Sequence, residues 1–134
     1  MIFMDSSLII AYANKDDENH GRASTIMEEI VNFKHGKAII SDLVFSEIVT
    51  VIKLRKDLKS AVEIGEILKD SKEVDIVFAK ESLFEEIWSI FRSHRGLSFV
   101  DASNIAVMKT FDIKKIATFD RDFENMEDIE VVGN

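Results

Sequence analysis

The sequence predicts an α/β fold: a three-layer α/β/α arrangement around a central, mostly parallel sheet of about five strands. Short apolar stretches of strand type alternate with longer amphipathic stretches of helix type along all 134 residues. Such alternation implies crossover connections and hence parallel strands. No repeat and no Pro/Gly-rich linker interrupts the pattern, so we expect a single domain over residues 1–134.

The first elements are the clearest. Ile2–Met4 is predicted as a buried strand, and the chain switches to a helix at Asp5, because Asp and the serines after it are favourable N-cap residues. Apolar residues recur with helical spacing from residue 26 to about His35, and Gly36 marks a stop. The remaining predicted strands are 38–40, 74–78, 115–119 and 129–132, and the remaining helices are Asp42–Arg55, 58–69, 83–96 and 101–111.

Composition excludes several classes of function. The chain has no cysteine, which rules out disulfides, thiolate metal ligands and a cysteine nucleophile. No apolar run approaches the ~20 residues that span a bilayer, and no basic segment precedes the first strand, so we expect a cytoplasmic protein without a signal peptide. The net charge of −8 argues against nucleic-acid binding by bulk charge, although it leaves nucleic acid open as a substrate.

Four carboxylates accompany separate apolar stretches. Asp5 follows the first strand, Glu47 lies on the helix after the second, and Asp101 and Asp120 follow later stretches. Ligands of parallel α/β sheets bind at the carboxyl ends of the strands, so we expect these acids to lie together. Because they would repel one another, a cation is needed. All-oxygen ligation suits Mg²⁺ or Mn²⁺, whereas the three histidines lack the paired spacing of a zinc site.

Alternative interpretations of these acids stay open at this stage. An Asp between a strand and a helix is often only a cap. Glu47 is aligned with Leu43, Val51 and Leu54, which are predicted core positions, and an unpaired carboxylate there costs several kcal/mol. A shared metal is favoured over an ion pair between Glu47 and Lys53.

An acidic metal site with open positions can bind a phosphodiester and activate a water for in-line displacement. The sequence has no GxxxxGK[ST] or GxGxxG loop for a nucleotide. Ser6 and Ser7, directly after Asp5, are interpreted as caps or as donors beside the metal. The cations Lys53, Arg55, Lys56 and Lys59 surround one helix end and are either candidates for phosphate contacts or a solvated helix terminus.

Four motifs carry a resemblance to a known family. They are Met4-Asp5-Ser6-Ser7-Leu8, Ser41-Asp42-Leu43-Val44-Phe45-Ser46-Glu47-Ile48, Leu97-Ser98-Phe99-Val100-Asp101-Ala102-Ser103 and Ile116-Ala117-Thr118-Phe119-Asp120-Arg121-Asp122-Phe123. In this order they resemble the motifs of PIN-domain ribonucleases, and among those the VapC-type toxins of prokaryotic toxin–antitoxin pairs.

The resemblance implies an endoribonuclease that depends on Mg²⁺ or Mn²⁺. Its catalytic and metal-binding acids would be Asp5, Glu47, Asp101 and Asp120. Ser6 and Thr118 would be supporting hydroxyls, and Asp122 an additional acid or a substitute for the fourth. The resemblance also implies an RNA substrate, a homodimer and a cognate antitoxin protein.

Two rival functions are carried forward. A HAD-like aspartyl-phosphotransfer hydrolase would also place an Asp after the first strand, but its D-x-D opening would need an acid where this chain has Ser7. A catalytically silent PIN-like module that only binds protein is the other alternative. The presence of all four acids argues against the silent module.

Overall fold

The computed structural model describes all residues 1–134 and contains one five-stranded sheet. Every neighbouring pair of strands is parallel, where the sequence predicted a mostly parallel sheet. The central strand is the first in the chain, and its Ile2 is aligned with Ala38 on one side and Lys115 on the other. The strands are β1 Ile2–Met4, β2 Ala38–Ser41, β3 Val74–Val77, β4 Lys115–Ala117 and β5 Glu130–Val132, in the spatial order β3-β2-β1-β4-β5.

Six helices connect these strands: α1 Ser6–Ala13, α2 His20–Val31, α3 Asp42–Arg55, α4 Leu58–Asp70, α5 Phe84–Ser93 and α6 Phe99–Thr110. The chain moves from β1 to β3 in one direction and then crosses back to β4 beyond β1. Right-handed crossovers therefore place α1–α4 on one face and α5 and α6 on the other. The predicted three-layer fold class is confirmed. None of the helices is both long and apolar enough to cross a membrane.

A single cluster of 30 buried apolar residues forms the core. The three residues of β1 are completely buried, because this strand has neighbours on both edges and helices on both faces. A central strand in this position needs a continuous apolar run, and Ile2-Phe3-Met4 supplies it. The core therefore anchors the strand that leads directly into Asp5.

Several element boundaries differ from the predicted ones, among them those of α6, β4 and α2. Helix α6 begins at Phe99 because the Ser98 side chain accepts a hydrogen bond from the Asp101 N–H and caps the helix earlier. Strand β4 ends at Ala117, since β5 pairs with only three of its residues. Helix α2 ends at Val31, and the turn that follows contains Gly36 at φ 76°.

The prediction that Glu47 occupies a core position is wrong. The buried residues of α3 are Val44, Ile48 and Ile52, whereas Leu54, on the proposed core line, is 80% exposed. Glu47 itself is half-buried. The sequence of α3 is apolar over most of its circumference, because the helix packs against the sheet and also against α1 and α4. Periodicity alone therefore could not identify its inner face.

Candidate active site

The candidate site lies where the strand order reverses. From β1 the chain first continues toward β2 and β3, and it later returns to β4 on the opposite side. In open α/β sheets, this reversal leaves a crevice at the carboxyl ends of the two central strands. Asp5 follows β1 directly and Thr118 follows β4 directly. The Asp5 N–H donates to the Ala117 carbonyl at 3.0 Å, which joins the two strand ends.

Asp5 is the most buried acid of the site, with 4% of its surface exposed. It stands at the N-cap position of α1, yet its side chain makes no capping hydrogen bond. The carboxylate instead accepts from Ser7 Oγ and Thr118 Oγ1, both at 2.8 Å to Oδ2, and from Asn104 Nδ2 at 3.3 Å to Oδ1. The capping interpretation therefore fails for the Asp5 side chain.

The two hydroxyls connect the loop after β4 to the Asp5 carboxylate. Ser7 Oγ accepts from the Phe119 N–H at 3.1 Å, and Thr118 Oγ1 accepts from the Asp120 N–H at 3.0 Å. Because a hydroxyl has one proton to donate and spare lone pairs to accept, each can serve both neighbours. The result is a chain of hydrogen bonds from backbone to hydroxyl to carboxylate that fixes Asp5 against β4.

Asn104 belongs to the same cluster and was missed by the sequence analysis. It is fully buried on α6, and its amide donates to Asp5 Oδ1. Its own Oδ1 is the only buried side-chain oxygen or nitrogen in the chain without a hydrogen-bond partner. The available signal was its position three residues after Asp101, since residues at i and i+3 share one face of a helix.

Glu47 reaches the site from α3. Its Oε1 accepts a hydrogen bond from Ser6 Oγ, in the first turn of α1. No ion pair with Lys53 forms, so the alternative pairing considered for this glutamate is not observed. Ser6 is thus a donor to Glu47 rather than a cap.

Asp101 and Asp120 each cap a local turn. The Asp101 Oδ2 accepts from the Ser98 N–H at 2.9 Å, in a capping box that begins α6. The Asp120 Oδ1 accepts from the Asp122 N–H at 2.9 Å and begins the 3₁₀ turn Arg121–Phe123. The capping interpretation is therefore correct for these two residues. Each carboxylate also retains a second oxygen that has no hydrogen-bond partner.

Asp122 lies farther from this network. It is exposed, and its carboxylate occupies the space beside Gly96, where a Cβ would come within 2.7 Å of Oδ1. The carboxylate is therefore directed toward the loop that precedes α6. Asp122 contacts the predicted acids only through its backbone N–H, which donates a hydrogen bond to the Asp120 carboxylate.

Electrostatic coupling connects the four predicted acids. Burial raises the pKa of Asp5, and the charge of Glu47 raises it further against the lowering effect of the hydroxyl hydrogen bonds. Burial also raises the pKa of Asp101, with added contributions from the charges of Asp5 and Asp120. Glu47, Asp5 and Asp120 thus each make the ionisation of another acid of the set more costly, which is the condition that a bound cation relieves.

The donor chemistry fits a hard divalent cation. All candidate ligands are carboxylate, hydroxyl or amide oxygens, which suit Mg²⁺ or Mn²⁺. No three or more His, Asp or Glu side chains are placed to hold one metal ion together, so the protein by itself does not supply a complete set of metal ligands. Mg²⁺ is commonly held by one or two carboxylates and several waters, and an open arrangement of this kind suits it.

The candidate site is separate from the main cavities of the chain. None of the five main cavities of the chain is lined by Asp5, Glu47, Asp101 or Asp120. A hydrated cation held at the site would have free positions for a phosphate oxygen and for an attacking water.

Comparisons with known proteins agree with the family resemblance that the four motifs indicate. The family model described as PIN domain matches residues 2–129. The chain is 32% identical over 133 residues to the 23S rRNA-specific endonuclease VapC20 of Mycobacterium tuberculosis, covering 98% of both sequences. The crystal structure of that VapC20, described as a Sarcin-Ricin loop cleaving toxin, has a TM-score of 0.83 at 30% identity, covering 92% of this chain and 93% of that one.

Two further solved structures share the fold at lower identity. FitAcB from Neisseria gonorrhoeae has a TM-score of 0.68 and 18% identity, with 98% of this chain and 96% of that one covered. VapBC2 from Rickettsia felis, bound to a DNA fragment from its promoter, has a TM-score of 0.71 and 12% identity, with 98% and 97% covered. The family model and the relative at 32% identity together confirm the resemblance found in the sequence, and the chain belongs to the PIN domain family.

Proposed function

We propose that this protein is a metal-dependent endoribonuclease that hydrolyses RNA phosphodiester bonds and acts as the toxin of a toxin–antitoxin pair. The observation that carries the proposal is the buried Asp5 carboxylate, held by three side-chain donors and coupled to other acids at the end of the central strands. The relationship to VapC20, which is named as an endonuclease, supports the same conclusion.

The proposed catalytic and metal-binding residues are Asp5, Glu47, Asp101 and Asp120. When bound, Mg²⁺ or Mn²⁺ would lower the pKa of a water and offset charge that develops on the phosphate. Hydrogen bonds within the protein hold two of these carboxylates in place: Thr118 and Ser7 donate to Asp5, and Ser6 donates to Glu47. Asp122 is proposed to act only through the Asp120 turn, since it contributes its N–H to that carboxylate.

Removal of the metal is the direct test of this function. Purified protein is expected to cleave RNA with Mg²⁺ or Mn²⁺ and to lose cleavage in EDTA, with recovery when excess metal is restored. A fragment of 23S rRNA containing the sarcin–ricin loop is the first substrate to use, because VapC20 is described as acting on it. Gel analysis of end-labelled RNA locates the cut.

The same preparation separates the rivals. A HAD-like phosphotransfer enzyme would form an acyl-phosphate with a small phosphodonor, and a silent module would neither cleave RNA nor become phosphorylated. Cleavage that persists unchanged in EDTA would contradict the proposal. Metal-dependent cleavage that survives Asp5→Asn would likewise contradict the proposed site.

Asn104 provides a test of how Asp5 is positioned. Asn104→Leu keeps the approximate volume of the side chain and removes its donor to Asp5 Oδ1. Because residues that orient a metal ligand contribute about 10- to 100-fold to metal affinity, we expect Mn²⁺ affinity to fall by about 10-fold or more in calorimetric titration. Asn32→Leu, at an exposed amide after α2, is the matched control. Equal Mn²⁺ affinity in the two variants would remove Asn104 from the site.

A homodimer and a cognate antitoxin are part of the proposal, and VapC20 is itself described as a toxin. Two exposed apolar surfaces are available to them, and such surfaces often mark contact with a partner protein. Phe84 and Trp88 on α5 are 54% and 46% exposed, and Leu58 and Val62 on α4 are 59% and 52% exposed. A cytoplasmic location follows if the substrate is ribosomal RNA.

A further inference from the structure

A groove between α1 and α3 lies close to the candidate active site. Ser6 on α1 and Glu47 on α3 are in contact at one end of this helix pair. One turn further along each helix, Ile10 and Val51 line a common cavity of about 480 Å³. The cavity thus begins one helical turn from Glu47 and continues away from it along both helices.

The far end of this groove is basic. Lys15, Arg55 and Lys56 line the cavity, together with one acid, Asp16. All three cations are exposed, and none takes part in an ion pair. The cavity lining therefore carries a net positive charge on a chain whose net charge is −8. Unpaired cations beside an acidic site are well placed to attract a polyanion.

The structure divides the basic cluster that the sequence groups together. Arg55 and Lys56 join Lys15, which lies 40 positions earlier in the chain, at the α1–α3 groove. Lys53 instead lines a different cavity, between α3 and α4, with Phe45 and Val49. Two cations of one helix, two residues apart, therefore belong to different surfaces.

We propose that Lys15, Arg55 and Lys56 bind phosphates of the RNA at a fixed distance from the bond that is cut. Glu47 and Arg55 are separated by eight residues of one helix, or about 12 Å at about 1.5 Å per residue. At about 3.4 Å per stacked nucleotide, that span corresponds to three or four nucleotides. The inference rests on the proposed ribonuclease function and extends it to the path of the substrate.

Binding of uncleaved RNA tests the inference apart from catalysis. In an Asp5→Asn background, fluorescence anisotropy in EDTA measures the affinity for a labelled 23S rRNA fragment. The combined substitution K15Q/R55Q/K56Q is expected to weaken binding by at least 10-fold. It should also reduce the slope of log K against log salt by about two, since each phosphate contact with a single strand contributes about 0.7. The matched control is Lys53→Gln, which changes the charge of the same helix and leaves the groove intact.

Cleavage kinetics add a second measurement. With intact Asp5, the combined substitution should raise KM and leave kcat within about twofold. Substrates shortened from one end to two nucleotides beyond the cut should remove the difference between wild type and variant. If Lys53→Gln weakens RNA binding as much as the combined substitution, or if the latter leaves affinity and salt slope unchanged, the inference fails.

The possible failures are distinguishable. Loss of RNA binding in the combined variant, together with a wild type that never cleaves RNA, would refute the proposed function and retain the groove as an RNA surface. Undiminished RNA binding together with weaker binding of a protein partner would assign the groove to that partner and overturn the inference. Circular dichroism and thermal unfolding confirm that each variant is folded.

Discussion

Asp5→Asn is expected to reduce metal-dependent RNA cleavage by more than about 100-fold, the upper effect of residues that only orient a metal ligand. The substitution keeps the shape of the side chain and removes its negative charge. Because Asp5 is buried and its pKa is raised by burial and by Glu47, the neutral amide is easier to accommodate than the carboxylate. The metal-free variant is therefore expected to be more stable than the metal-free wild type at neutral pH.

The stability difference between Asp5→Asn and the wild type is expected to depend on pH. A carboxyl whose pKa is raised in the folded state binds more protons there than in the unfolded state, so its ionisation destabilises the fold as the pH rises through the folded pKa. The stability advantage of Asp5→Asn should therefore be largest above the folded pKa of Asp5. It should disappear well below 3.8, the ordinary pKa of an aspartate side chain, where the wild-type carboxyl is protonated in both states.

Urea unfolding of the metal-free proteins between pH 3 and pH 8 measures this advantage, and Asp70→Asn, at an exposed acid at the end of α4, is the matched control. The control should retain cleavage and should not reproduce the stability gain of Asp5→Asn. Full cleavage by Asp5→Asn would place the chemistry elsewhere. A stability loss that grows with pH would contradict the electrostatic account of the site.

Phe123→Ala is expected to destabilise the protein by about 3–5 kcal/mol, the usual cost of truncating a buried phenylalanine. Phe123 is fully buried in the 3₁₀ turn that Asp120 caps, so it attaches this acid-bearing turn to the core. Since small domains are stable by only about 5–15 kcal/mol, the loss is a large part of the total. The midpoint of thermal unfolding should fall by on the order of 10 °C.

The control for this prediction is Phe111→Ala, because Phe111 is 41% exposed after the end of α6. It should cost clearly less than Phe123→Ala in urea unfolding. At a temperature where both variants are folded, Phe123→Ala should also cleave RNA more slowly, since the Asp120 turn is less firmly held. Equal destabilisation by the two substitutions would show that Phe123 has no special anchoring role.

The four acids could be selected from the sequence because each accompanies a recognisable element. A buried strand before Asp5 and a helix around Glu47 are local patterns, and the rule for parallel sheets then brings the strand ends together. Asn104 could not be selected in the same way, because an Asn on a helix is most often solvated. Its importance depends on facing Asp5, which is 99 positions away in the chain.

The surroundings of Lys15 and Glu47 also could not be predicted from the sequence. The sequence grouped Arg55 with Lys53, its neighbour along the helix, whereas the structure places Arg55 beside Lys15 and separates it from Lys53. For Glu47, the apolar circumference of α3 led to a core assignment, and the structure places it half-buried against Ser6. Both differences arise from the packing of α1 against α3, which helical periodicity does not describe.

The order of amino acids was enough to establish the α/β class, most element boundaries and the candidate acids, because hydrophobic periodicity and capping are properties of neighbouring residues. Tertiary structure alone decided which distant donors hold Asp5 and Glu47 and where the basic groove lies. These contacts join residues 40 to 113 positions apart. Such contacts depend on how helices pack against the sheet and against one another, and no local pattern in the chain encodes that choice directly.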